Sequence, residues 1–81
     1  MYEVYILKSL VKERYYTGHT QDLDVRLKRH NQGLVKSTKA YKPWKVIYSE
    51  NAENKNDAYR REMKIKSYKK GEAFKKLINQ K

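Results

Sequence analysis

Arg26 and His30 stand four residues apart, so in a helix both lie on one face, and Leu23 and Leu27 border the same stripe. An arginine at the edge of a buried stripe can present a fixed fork of donors to a phosphate. The plainer alternative is a snorkelling arginine and a surface histidine. Further on, Ala58, Glu62 and Ile65 follow a four-then-three spacing, the mark of a core-facing helical stripe interrupted by a charge. A carboxylate there is costly unless it is paired or holds a metal, and Lys66 at i+4 is its alternative partner. Two phenols complete the set. A hairpin turn centred between residues 10 and 11 pairs Tyr5 with Tyr16, which puts both rings on one face of the sheet; an aromatic cross-strand pair is the purely structural reading. His19 follows Gly18 at a strand end, a place that commonly hosts catalytic groups, although a lone histidine there is more often surface.

Other chemistries find no support. The chain has no cysteine, which excludes disulfides and thiolate metal sites. Two histidines without a clustered carboxylate do not make a zinc site. Three scattered glycines form no phosphate loop. No Ser-His-Asp or Cys-His nucleophile can be assembled.

The elements that must position these groups are legible in pattern. Tyr2 to Lys8 alternates and is rich in β-branched and aromatic residues, so it reads as a strand; Arg14 to His19 reads as a second, joined by a hairpin loop. Asp22 can cap a helix running to about Asn31, with Gly33 as its stop. Leu34 to Lys42 is a polar, basic loop, and Pro43 biases Lys42 to extended backbone. Trp44 to Ser49 is a third strand, with Trp44, Val46 and Tyr48 expected on one face. Asn54, Asn56 or Asp57 can cap a second helix to about Lys70, broken at Gly71, and Glu72 to Asn79 forms a last helix anchored by Phe74, Leu77 and Ile78. The order β-β-α-β-α-α predicts an α+β fold, a three-stranded antiparallel sheet flanked by helices, as one domain over residues 1–81.

The formal net charge is +11, and the twenty basic residues divide evenly about position 50, so both halves are positive. A folded surface with this field attracts polyanions, of which nucleic acid is the commonest. Lys36, Lys39, Lys42 and Lys45, in and after the polar loop, are candidates for backbone contacts; a solvated charge run is the alternative. No apolar run approaches a bilayer span, and the N-terminus lacks a basic leader and an apolar h-region. A cytoplasmic setting without membrane contact is therefore expected.

Taken in order, several stretches resemble the GIY-YIG nuclease superfamily. They are Glu3-Val4-Tyr5, Tyr16-Thr17-Gly18, Thr20 to Arg26, His30-Asn31, Pro43 to Tyr48, and Ala58 to Glu62 followed by Ile65-Lys66. Glu3 and Thr17 depart from the name motif at positions that supply no chemistry. The resemblance is closest to small single-domain bacterial members. It implies a divalent-metal-dependent endonuclease, with Glu62 the one protein carboxylate on Mg²⁺ or Mn²⁺, Arg26 clamping the phosphate, Tyr5 as general base and Tyr16 orienting water or phosphate. Cations near Tyr5 (Arg26, a protonated His19, the metal) are expected to favour phenolate, with His30 the alternative for sharing the proton transfers; the sequence does not divide these roles. DNA is expected ahead of RNA, with no small-molecule cofactor. The rival readings are a non-catalytic DNA- or RNA-binding module on the same fold and a protein-interaction adaptor.

Overall fold

The computed structural model describes residues 1–69 and 71–79. Its elements are β1 (Tyr2–Ser9), β2 (Tyr15–Thr20), α1 (Leu23–Asn31), β3 (Trp44–Ala52), α2 (Lys55–Ser67) and α3 (Glu72–Ile78), with a single 3₁₀ turn, Lys39–Tyr41, inside the polar loop. This is the α+β order anticipated above. The three strands are antiparallel in the order β2-β1-β3. The second helix ends at Ser67; its expected end at Lys70 lies outside the described residues.

Local chemistry sets the boundaries. The Asp22 carboxylate accepts from the Val25 N–H at 3.2 Å and starts α1, and Gly33, at φ 77°, takes the left-handed conformation that ends it. Asn54 caps α2 by accepting from the Asp57 N–H at 2.9 Å. At the hairpin turn the Ser9 hydroxyl accepts from the Val11 and Lys12 N–H groups and donates to the Tyr41 carbonyl at 2.6 Å. That one side chain ties the turn to the polar loop.

Two features of the sheet differ from the sequence reading. Tyr5 stands opposite Gly18, and Leu7 opposite Tyr16, so the hairpin register is two residues from the expected one. A two-residue shift preserves the face, and both phenols still point to the same side. In β3, Ile6 pairs with Tyr48 and Leu7 with Val46, which leaves Ile47 as an extra residue. This bulge turns the strand over: Trp44 and Val46 pack with Tyr5 and Leu7, whereas Ile47 and Tyr48 pack with Val4 and Ile6. Trp44, Val46 and Tyr48 therefore do not share a face.

Helices cover both sides of the sheet, which is why Val4, Tyr5, Ile6 and Leu7 are all buried in the central strand. One core joins Val4 and Ile6 to Ala58, Ile65, Phe74 and Leu77 of α2 and α3. The other joins Tyr5, Leu7 and Trp44 to Tyr16 and to Leu23 and Leu27 of α1. Asn31 fastens the second core at its margin: its side-chain amide bonds both the N–H and the carbonyl of Trp44.

Candidate active site

On the α1 side of the sheet, Tyr5, Tyr16, Arg26 and His30 come together. The two phenol rings lie 6.2 Å apart between centroids, and the His30 ring stands 4.8 Å from Tyr16 and edge-on to Tyr5 at 6.1 Å. The Tyr5 hydroxyl meets His30 Nε2 at 3.2 Å, and His30 Nδ1 meets the Thr38 hydroxyl at 2.8 Å. Tyr5, His30 and Thr38 are each essentially without solvent contact. Gly18 makes the close packing possible: a Cβ there would stand 2.8 Å from the Tyr5 oxygen and 2.9 Å from Tyr16 Cε2.

The protein's own charges do not favour phenolate in this group. Burial pushes the Tyr5 phenol up to about 12, against the pull of the Arg26 guanidinium beside it; the neighbouring Tyr16 and Glu62 charges add to the rise. Desolvation outweighs the cation, and Tyr5 is a neutral phenol at pH 7. Burial, reinforced by the positive charges of Arg26 and Arg29, lowers His30 to about 4, so its imidazole is neutral. Hydrogen bonding toward the Tyr5 phenol, opposed by burial, holds the Arg26 guanidinium above its usual value. The Arg26 Nε is buried and has no hydrogen-bond acceptor among the described residues. A buried donor on a cation without an acceptor is costly, and an anion's oxygen would relieve it.

Glu62 lies on the other side of the sheet, in the layer of α2. Its carboxylate is engaged at both oxygens: Oε1 by His19 Nδ1 and Oε2 by Lys66 Nζ, each at 2.6 Å. The Glu62 side chain is only 12% exposed, whereas that of Lys66 is 47% exposed and free to swing into solvent. His19 directly follows Gly18 in the edge strand β2, so the carboxylate group and the phenol group meet around that edge. The four expected side chains thus form two adjoining sets: Tyr5, Tyr16 and Arg26 with His30, and Glu62 with His19. Among the described residues no three His, Cys, Asp or Glu side chains gather as a metal cage. The one poorly solvated carboxylate of this set, Glu62, suits a hard cation that keeps most of its waters, as Mg²⁺ does.

Lys36, Lys39, Lys42 and Lys45 are all exposed. A cavity of about 330 Å³ lies elsewhere, at the hairpin tip, lined by Lys8, Ser9, Leu10, Val11, Lys12, Glu13 and Lys45. Thr38 has no counterpart in the sequence reading, where it was one polar residue of a loop. Its contact with His30 spans eight residues across an irregular turn, and no local periodicity marks it.

Comparison with known proteins adds a family to this geometry. The profile of the GIY-YIG catalytic domain matches residues 1–76. The chain is 39% identical over 66 residues to a UPF0213 protein of Staphylococcus aureus strain Mu3, covering 80% of this chain and 79% of the relative. A UPF0213 protein of strain N315 matches to the same extent. The solution NMR structure of the UPF0213 protein BH0048 from Bacillus halodurans superposes with a TM-score of 0.56 at 32% identity, over 94% of this chain and 83% of that one.

Proposed function

The chain belongs to the GIY-YIG catalytic-domain family, whose members are usually nucleases that use divalent metal ions, and on that footing we propose that it hydrolyses phosphodiester bonds in nucleic acid. The observation that carries the reading is the buried, acceptor-less Nε of Arg26 beside two phenols. A net charge of +11 supplies the long-range attraction for a polyanion.

In this reading Arg26 holds the scissile phosphate and offsets the charge that builds on its oxygens. Tyr16 orients the phosphate or the attacking water. The water oxygen bonds to phosphorus and gives its proton to the Tyr5 oxygen, while Tyr5 passes its own proton to His30 Nε2. The bond from phosphorus to the leaving oxygen breaks, and that oxygen takes a proton from solvent. A neutral phenol next to a neutral imidazole can do this without ever standing as a free phenolate, which its burial disfavours. A divalent ion on Glu62 would supply charge neutralisation at the phosphate and a more acidic water. His19 keeps that carboxylate oriented, and Lys66 balances its charge.

The second reading, a nucleic-acid-binding module without turnover, rests on one observation: both Glu62 oxygens already have partners, as in a structural ion pair. Cleavage of single-stranded, duplex and branched DNA, and of RNA, with Mg²⁺ or Mn²⁺ separates the two. The nuclease reading expects metal-dependent cutting that Glu62→Gln and Arg26→Ala abolish, with nucleic-acid affinity largely kept in Glu62→Gln. Binding throughout with cutting nowhere, or full cutting by Glu62→Gln, refutes it.

A further inference from the structure

The buried chain of hydrogen bonds behind Tyr5 has a direction, and one residue of the polar loop sets it. Thr38 Oγ1 lies 2.8 Å from His30 Nδ1 and 3.3 Å from the Val35 carbonyl. A carbonyl only accepts, so the single hydroxyl proton of Thr38 is directed to Val35. With the hydroxyl proton so directed, alongside the Thr38 and Lys39 N–H groups on the same carbonyl, the hydroxyl oxygen accepts at its other contact and His30 Nδ1 carries the ring proton. A neutral imidazole has one N–H, which leaves Nε2 bare, facing the Tyr5 hydroxyl at 3.2 Å.

We propose that Thr38 is a positioning residue for the hydrolysis: its hydroxyl, aimed by the Val35 carbonyl, holds His30 in the Nδ1–H tautomer so that Nε2 accepts the Tyr5 proton. This rests on the nuclease reading above. With the opposite tautomer, Nε2–H would donate to the Tyr5 oxygen and block the transfer from phenol to imidazole. The arrangement is rigid. The Thr38 N–H bonds the Val35 carbonyl at 3.1 Å, and the Thr38 carbonyl takes the Trp44 indole N–H at 3.0 Å. Thr38 and His30 are at 1% and 0% exposure, so bulk water does not compete for either ring nitrogen. Volume alone does not require a threonine here, because valine has nearly the same shape. The hydroxyl is what the network uses.

The test uses the full chain with ¹⁵N-labelled histidine. Long-range ¹H–¹⁵N correlation at pH 7 is expected to show His30 protonated at Nδ1 and bare at Nε2. Thr38→Val is expected to mix or invert the tautomers and to lower kcat about 100-fold with KM little changed, whereas Thr38→Ser restores both. A melting curve shows that the valine variant is folded at the assay temperature; should it unfold, Thr38→Ser and the wild-type tautomer still decide. A wild-type His30 protonated at Nε2, or a folded Thr38→Val chain with unchanged kcat, overturns the proposal. A wild-type chain that cuts no nucleic acid overturns the nuclease reading and with it the role of Thr38. An inverted tautomer in a chain that does cut overturns the tautomer relay alone.

Discussion

Adding one methyl group at Gly18 tests whether the phenol group is as tightly built as its contacts imply. The new Cβ would stand 2.8 Å from the Tyr5 oxygen, 2.9 Å from Tyr16 Cε2 and 3.0 Å from Tyr5 Cζ, all inside the usual carbon contact distance. Neither ring is a flexible tip that can move aside at little cost. Tyr5 is fully buried and packed against Leu7 and Trp44. Overpacking of this kind costs about 1–3 kcal/mol. Against a total stability of about 4–12 kcal/mol for a chain of this length, a loss of about 2 kcal/mol lowers Tm by about 8–16 °C. The relief available is a shift of the Tyr5 ring, which lengthens its 3.2 Å contact with His30. Cleavage should therefore fall by about 100-fold at a temperature where Gly18→Ala is still folded, as circular dichroism would verify. In Gly18→Ala/Tyr5→Phe the shortest clash is absent, so the stability losses of the two changes should sum to more than the loss in the double variant. A Gly18→Ala chain that melts within about 2 °C of wild type and cuts at full rate would refute the argument that space at Gly18 holds the phenols in place.

Other outcomes follow from the same geometry. His30 takes up a proton near pH 6.5 when unfolded but only at about 4 when folded, so the unfolded state binds more protons in between. Stability should fall by about 1.4 kcal/mol per pH unit as pH drops through that window, with Arg26 and Arg29 sharpening the penalty, and His30→Gln should flatten the Tm-against-pH curve relative to wild type. Asn31→Ala strands both polar backbone groups of Trp44 and should cost about 1–3 kcal/mol in urea unfolding. Lys66→Met frees one oxygen of the mostly buried Glu62 and should tighten Mn²⁺ binding, read by electron paramagnetic resonance, at a stability cost of about 1 kcal/mol. Replacing Lys36, Lys39, Lys42 and Lys45 with glutamine should flatten log K against log salt by about 0.9 for each lysine that contacts a duplex phosphate; an unchanged slope removes them from the interface.

What could be read in advance was what repeats along the chain. Alternation in β1, the cap at Asp22, the cluster of caps at Asn54, Asn56 and Asp57 (of which Asn54 is the one used) and the stop at Gly33 are local signals, and the elements begin close to where they put them. The placing of the partly buried Glu62 in the stripe of the buried Ala58 and Ile65 was equally local. Long-range facts were not legible. The hairpin register depends on how Ser9 folds the turn, and a bulge at Ile47 leaves no mark in a run of β-formers. The Tyr5 phenol was expected to ionise because cations are near. The desolvation that outweighs Arg26 depends on helices packing over both faces of the strand, which pattern alone does not weigh. Thr38 reaches His30 only through the path of an irregular loop.

The phenol–guanidinium group and the carboxylate group hang from different scaffolds, the first from the packing of α1 on the sheet and the second from α2 with Phe74 and Leu77 beneath it. Damage to one scaffold need not travel to the other. On the nuclease reading, eroding the C-terminal helix would tilt Glu62 away while Arg26 kept its grip, leaving a protein that adheres without acting; loosening α1 would instead spare the carboxylate and forfeit the grip. The architecture contains two separable ways to fall silent, and the layer that fails determines which is seen.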